Sequence, residues 1–392
     1  MRLRILVTAA LVATVFGVMA AEVQAAPATL AYRAVKVGMG SLRYPSVVGI
    51  SNQGKVFGFY GDNNGYSHPF MYVSGKIVNL PDYQGAHFGI ESLATNGPGM
   101  IAATGCVKSG CASAVPLVTG TTATGVMGWV VLPPVDGMAW SSSRTGYAAA
   151  INRPGSIAGQ ETVKGKSFPV VWAHNKSGYA PTALPAAGVT DPTGQAIDRR
   201  GDVLGSGGIA GKGYTLVWFW TGTKYLAPYR LTCGTFGGAI LAAIRSAPIR
   251  SGPVKGGWRI TAGGKCAETK GYSVIWRLVV SKSGRLVNAK GHPLKHAPGP
   301  MVLGTPGTPY TGGVHAFLPD GTPLGEAWTA SPKPQEDAEL WWGSHYQPIN
   351  LNTVTSGLGH DVLMAALAAN AHGQILASVP DQTRAYILDP KK

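Results

Sequence analysis

Charge is scarce in this chain of 392 residues: Asp, Glu, Lys and Arg together make up 13% of it. That excludes the Glu/Lys/Leu-rich amphipathic helices of bundles and coiled coils. Acids are the scarcer sign, 18 against 33 Lys and Arg, and they are dispersed along the sequence. No run of apolar residues after position 25 is long enough to span a bilayer. Nucleophilic catalysis has no foothold, because no Gly-x-Ser-x-Gly elbow occurs. The glycine-rich Gly205-Ser-Gly-Gly-Ile-Ala-Gly-Lys-Gly213 departs from a phosphate loop at Ser206 and Gly213 and reads as a hairpin loop. The nine histidines are scattered. His292 and His296 stand four apart, but Gly291, Pro293 and Pro298 argue against a helix presenting both. No metal site and no cofactor is expected.

What the chain has instead is glycine, 55 residues of it, and 28 prolines, a composition suited to short strands joined by turns. Arg2 and Arg4 precede an apolar run from Ile5 to Met19, and Val23-Gln24-Ala25 supplies small residues for cleavage. Residues 1–25 therefore read as a signal peptide and 26–392 as one exported domain. The four cysteines are Cys106, Cys111, Cys233 and Cys266. In an exported chain an even number points to disulfides. Three connectivities exist; 106–111 with 233–266 is favoured because each pair falls within one repeat unit. A Cys-x₄-Cys with no matching His or Cys pair is poor spacing for zinc.

The repeat is a turn glycine followed by a short apolar stretch ending in Gly or Ala. It occurs as Gly54-Lys-Val-Phe-Gly58, Gly99-Met-Ile-Ala-Ala103, Gly155-Ser-Ile-Ala-Gly159, Gly201-Asp-Val-Leu-Gly205 and Gly373-Gln-Ile-Leu-Ala377, with a looser copy at Gly257-Trp-Arg-Ile-Thr-Ala-Gly263. Asn, Asp or Pro before the glycine turns the chain, and glycine accepts positive φ there. Downstream lies a second apolar stretch ending in an aromatic, such as Pro169-Val-Val-Trp172 or Leu216-Val-Trp218, and then a third, such as Lys76-Ile-Val-Asn-Leu80. Each unit reads as an antiparallel sheet of three or four strands that cannot bury both faces alone. Beyond Gly257 the register divides between Gly299 and Gly321; either choice gives seven units, with six or eight still open.

The unit beginning at Gly373 is too short for a full sheet, and Leu30-Ala-Tyr-Arg-Ala-Val-Lys-Val37 is a strand with no turn before it. Joining the two, against Ala385-Tyr-Ile-Leu388, closes a ring and removes its edges. The expected fold is all-β, a seven-bladed β-propeller closed by N- and C-terminal strands in one blade.

Gly49-Ile-Ser-Asn-Gln-Gly-Lys-Val-Phe-Gly58 and Ile151-Asn-Arg-Pro-Gly-Ser-Ile-Ala-Gly159, with His68-Pro-Phe70 as a near match to a second half-motif, resemble the units of extracellular HAF-repeat proteins. The literal triplet His315-Ala-Phe317 falls just before the turn at Asp320-Gly321. The resemblance implies a secreted, propeller-like repeat protein and attaches no reaction to any residue.

Basic charge is concentrated. From Arg245 to Lys295 the chain places Arg245, Arg250, Lys255, Arg259, Lys265, Lys270, Arg277, Lys282, Arg285, Lys290 and Lys295 against the single acid Glu268. Such a blade attracts phosphate, sulfate or uronate in a salt-dependent way, or it simply keeps the protein soluble. Outside the cell an anionic polysaccharide, a glycolipid or another envelope protein fits better than nucleic acid. Trp172, Trp218, Trp276 and Trp341 recur at one place in the repeat and read as core, whereas Trp129, Trp140, Trp258 and Trp328 lie off that register and suit surface contacts. The functional expectation is a monomeric, secreted or periplasmic, non-enzymatic binding or scaffold protein, with Arg245, Arg250, Lys255, Arg259, Lys265, Lys270 and Arg277 meeting an anion. The alternative is a hydrolase or lyase acting on polysaccharide, which requires acids converging at one mouth of the ring's channel.

Overall fold

The computed structural model describes residues 30–64, 66–81, 90–106, 114–120, 128–210, 212–233, 239–266, 271–304, 311–328, 336–380 and 384–391. The signal segment 1–25, Cys111 (and with it the 106–111 pairing) and Lys270 lie outside the residues so described. Seven antiparallel sheets follow one another along the chain. Blade 1 runs from the axis outward as Arg43–Ile50, Val56–Gly61, Ser67–Val73 and Lys76–Asn79. Blade 2 begins at Ile90–Thr95, blade 3 at Arg144–Ile151 and blade 4 at Thr190–Ile197. Blade 5 uses Ala239–Pro248, Trp258–Cys266, Ser273–Val280 and Leu286–Val287, and blade 6 begins at Thr311–Phe317. Blade 7 takes Ala365–Ala369, Ile375–Ser378 and Arg384–Pro390 from the C-terminus, and Tyr32–Gly38 from the N-terminus completes it. That closing pair is antiparallel over seven residues, from Tyr32 opposite Pro390 to Gly38 opposite Arg384. The chain is a seven-bladed β-propeller.

The repeat has two separate physical causes. Its first glycine closes the turn between the inner and second strands: Gly155 sits at φ +96 and donates its N–H to the Asn152 carbonyl. The same turn uses Gly321 in blade 6, which settles the register against Gly299. In blade 5 the positive φ falls on Gly256 rather than Gly257. The last glycine of the repeat answers a bulge. Inner strands slip register at corresponding places, as between Ala148 and Ala150 or Val314 and Ala316. The bulge pushes a carbonyl against the second strand. A Cβ on Gly159 would stand 1.8 Å from the Tyr147 oxygen and 3.0 Å from the Trp172 ring. The aromatic of the third strand packs over that glycine, so Gly and Trp form one device.

The four in-register tryptophans are fully buried, as expected for core. Truncating one to Ala would cost about 3–5 kcal/mol. Off register, Trp328 is exposed, but Trp129 and Trp140 are half-buried and donate their indole N–H to the carbonyls of Pro81 and Leu132. They brace the links between blades instead of offering a surface. Trp258 is half-buried as well and lies under Arg200, whose guanidinium carbon is 5.5 Å from the ring centre.

Cys233 and Cys266 form a disulfide with Cα atoms 5.8 Å apart. The pairing is the expected one, but its placement differs from the expectation. Cys233 follows the outer strand of blade 4 and Cys266 ends the second strand of blade 5, so the bond crosses a blade junction instead of closing one unit. Both residues lie where adjacent sheets meet, which a count along the chain cannot show.

The other short motifs are absorbed by the fold. The glycine-rich stretch falls largely within two paired strands, 203–209 and 212–218. Arg200 binds both oxygens of the fully buried Asp202, so the charged pair around Gly201 braces the repeat's own turn. Asp62 accepts the N–H groups of Asn64 and Tyr66, again a turn.

Candidate anion-binding site

Blade 5 pairs Arg245 with Thr261 and Thr261 with Arg277, so three neighbouring strands present one row. Arg259 is two residues from Thr261 and therefore on the same face. That face looks toward blade 6: a Cβ on Gly263, further along it, would meet Val314 and Phe317. Between the two blades lies a cleft of about 440 Å³ lined by Arg245, Arg259 and Arg277, with Thr261, Asp320 and Tyr346 among its other walls. It sits at the end of the blade that carries the turns 249–257 and 281–285.

The arginines are held in different ways. Arg277 lies over the Tyr346 ring at 4.8 Å, and its Nε donates to the phenol oxygen at 2.9 Å. Arg245 is half-buried and its Nη2 donates to the Pro319 carbonyl. Burial lowers the pKa of the Arg245 guanidinium, and the Asp320 charge opposes that shift. Arg259 is exposed. Three cations against one acid, in a cleft with two low-dielectric walls, favour an anion able to accept several N–H bonds at once. Of the other sequence candidates, Arg250 and Lys255 are exposed on the turn beside the cleft. Lys265 belongs to the opposite end of its strand, near Gly313, and does not join them. Sequence reasoning missed Tyr346, which comes from blade 6 and carries no mark in the repeat.

The inner strands of all seven blades surround a central cavity of about 600 Å³. Its polar lining includes Asn52, Thr95, Arg153, Gln195, Arg245 and Asn370, and among the described lining residues there is no Asp or Glu. Arg245 borders both spaces, so the cleft opens beside this cavity. Acids gather elsewhere. His315, the residue passed over at the bulge of its strand, has Nε2 3.1 Å from a Glu326 oxygen, within ion-pair distance but off hydrogen-bond geometry. Burial and then the Glu326 charge raise the pKa of the neighbouring Glu336. His315 and Glu326 line a small space of about 180 Å³ shared with Ser378 and Arg384. Among the described residues no group of three His, Cys, Asp or Glu could hold a metal ion.

No family model matches the sequence, and no curated protein does. Solved structures align with it over most of its length at about a tenth identity. A puromycin-hydrolyzing peptidase of Mycobacterium tuberculosis aligns at 10% identity and TM-score 0.49, over 88% of this chain and 50% of that one. YCF48 from Cyanidioschyzon merolae aligns at 10% and 0.46, over 92% and 99%. A chain of a mitotic checkpoint complex aligns at 11% and 0.45, over 100% and 99%. These are likenesses of shape, and no chemistry is taken from them.

Proposed function

We propose that this is an exported, non-enzymatic binding propeller that holds an anionic component of the envelope or exterior on the turn-bearing end of blade 5. The single observation that supports it most is the convergence of Arg245, Arg259 and Arg277 in one cleft. A carboxylate, sulfate or phosphate group is the chemistry those side chains recognise. Export is supported by the leader-like residues 1–25, by the HAF-type units, and by the Cys233–Cys266 bond, which persists in oxidising compartments. Among the described residues no helix is long and apolar enough to cross a membrane.

The test is retention on a sulfated or carboxylated matrix. Arg259→Glu with Arg277→Glu changes two exposed side chains and leaves the core alone. Elution is expected at a clearly lower salt concentration, with circular dichroism unchanged. Elution at the wild-type salt concentration removes the reading. One cluster favours a polysaccharide-acting enzyme instead: Glu326 and Glu336 beside His315. Release of reducing ends from a uronate polymer, abolished by Glu326→Gln, is the measurement that would carry it.

A further inference from the structure

Blade 5 has a second cleft, on its other side. The loop and outer strand of blade 4 at 226–230 face Arg285, Lys295 and His296 across a space of about 610 Å³. Arg230, Arg285 and Lys295 line it, all exposed, and no acid does among its described walls. Its wall also carries Tyr229, half-buried, with its ring centre 5.4 Å from that of Phe219. Arg230 is itself braced, its guanidinium carbon 5.3 Å from the Tyr214 ring centre. The segment before the outer strand of blade 4 and the turn at 281–285 of blade 5 lie at the same end of the disc as the three-arginine cleft. The two clefts therefore flank one blade on one surface. Exposed Arg250, Lys255 and Lys282 stand on the turns between them.

We propose that this second cleft is an acidic-sugar subsite, and that the two clefts together hold separate residues of one polyuronate or sulfated polysaccharide chain. The proposal rests on the anion-binding reading of the first cleft and specifies its ligand. A phenol ring edged by three cations suits a sugar, whose C–H face packs on the aromatic while its acid group meets the guanidinium. The first cleft offers no free ring, because Arg277 covers Tyr346. Spaces on opposite sides of a sheet are at least about 10 Å apart. A monosaccharide cannot bridge them, whereas an oligomer occupies both and gains from the effective concentration of its own chain.

The experiment is calorimetric titration of the full exported chain with galacturonic acid, with a galacturonate hexamer and with inorganic polyphosphate of matching charge. Three proteins are compared: the wild type, Arg285→Glu/Lys295→Glu, and Arg259→Glu/Arg277→Glu. The hexamer is expected to bind the wild type at least about tenfold more tightly than the monomer. Each double variant should lose most of that gain. Tyr229→Leu should weaken the hexamer several-fold and leave polyphosphate unchanged, with near-UV circular dichroism reporting that the blade is still packed. Hexamer affinity unaltered in Arg285→Glu/Lys295→Glu but lost in Arg259→Glu/Arg277→Glu overturns the second subsite and spares the first. Polyphosphate binding equal to the hexamer, with Tyr229→Leu silent toward both, overturns the sugar assignment. A wild type that binds none of the three at low salt fails the underlying anion reading as well as this one.

Discussion

Blades 7, 1, 2 and 3 are stitched to their neighbours in a way that blades 4, 5 and 6 are not. One residue in each blade begins the turn between inner and second strands, its N–H donating to the carbonyl four residues on: Ser51, Asn96, Asn152, Asp198, Leu318 and Asn370, with Ile249 in the longer turn of blade 5. Where it is Asn it does two things. The oxygen of Asn152 accepts the Ser156 N–H at 2.8 Å, while its amide nitrogen donates to the Asp198 carbonyl of the next blade at 2.8 Å. Asn96 reaches Asn152 and Asn370 reaches Ser51 in the same way. Blade 1 manages with Asn52, whose N–H reaches Gly97 of blade 2. Asp198 keeps the first job, accepting three turn N–H groups, but has no amide to donate; Ile249 and Leu318 have no polar side chain at all. The tryptophans divide one blade later, between blades 4 and 5. Trp172 and Trp218 donate to Pro133 and Pro185, whereas among the described residues the buried indole nitrogens of Trp276 and Trp341 find no acceptor. The lesson is that shape and stitching are separable. Sequence that keeps only the turn still builds a blade, and among the described residues the blades without this amide bridge are those that flank the basic clefts.

At the junction of blades 4 and 5 a covalent bond stands where the amide bridge ends. Replacing Cys233 and Cys266 together by Ser should therefore have the largest effect. For a loop of 33 residues the loss is about 3.7 kcal/mol. The midpoint of urea unfolding reads it directly. A loss under about 1 kcal/mol would mean that the junction holds by its other contacts, the seat of Arg200 on Trp258 among them.

The stitched half is probed by Asn152→Asp. The exchange keeps the acceptor for Ser156 and removes the donor to Asp198, setting a buried carboxylate against a carbonyl. A cost of about 2 kcal/mol is expected, because a hydrogen bond is lost and the partner group is left unpaired. Equal unfolding midpoints for variant and wild type would say that the amide ring is idle and the two halves are equivalent.

Buried acids give blades 4 and 6 a pH dependence of their own. Burial raises the pKa values of both Asp198 and Asp202, and the Asp198 charge raises that of Asp202 further. In blade 6 burial, followed by the Asp337 charge, pushes Glu339 up to about 8. Folded-state values above the unfolded ones mean that the native state binds more protons between about pH 4 and 8. Stability from these groups is present in acid and is lost as pH rises through that window. Asp198→Asn and Glu339→Gln should each flatten the fall in melting temperature between pH 5 and 8. A wild-type protein steadily more stable toward pH 8 would contradict the assignment.

Most of the architecture is legible in the sequence because its causes are local. A turn needs Gly155, a bulge needs Gly159, and an unfinished last unit needs a strand from the other end. What is hidden lies between blades. The second role of Asn152, the crossing of Cys233 to Cys266 and the seat of Arg277 on Tyr346 all join residues tens of positions apart. The basic stretch was visible as charge, but its division into two clefts was not. A one-residue change of register moves every side chain to the other face, and the Arg245–Thr261–Arg277 row follows only once the turns of blade 5 are fixed.

Tyr346→Phe is the mildest and sharpest probe of the cleft. Its hydroxyl takes N–H bonds from Arg277, which uses Nε and one terminal nitrogen for them. A guanidinium has five N–H groups, so donors remain for a ligand. If the phenol holds Arg277 in place, its loss makes the ligand immobilise that side chain itself, at about 0.5–1.5 kcal/mol. Anion affinity then falls two- to tenfold, the ring contact still being present. If the phenol instead competes with the ligand for those N–H groups, affinity rises. Stability should move by less than about 0.5 kcal/mol either way, because the exposed Arg277 keeps access to water. The sign of the change in binding therefore separates a positioned arginine from a sequestered one.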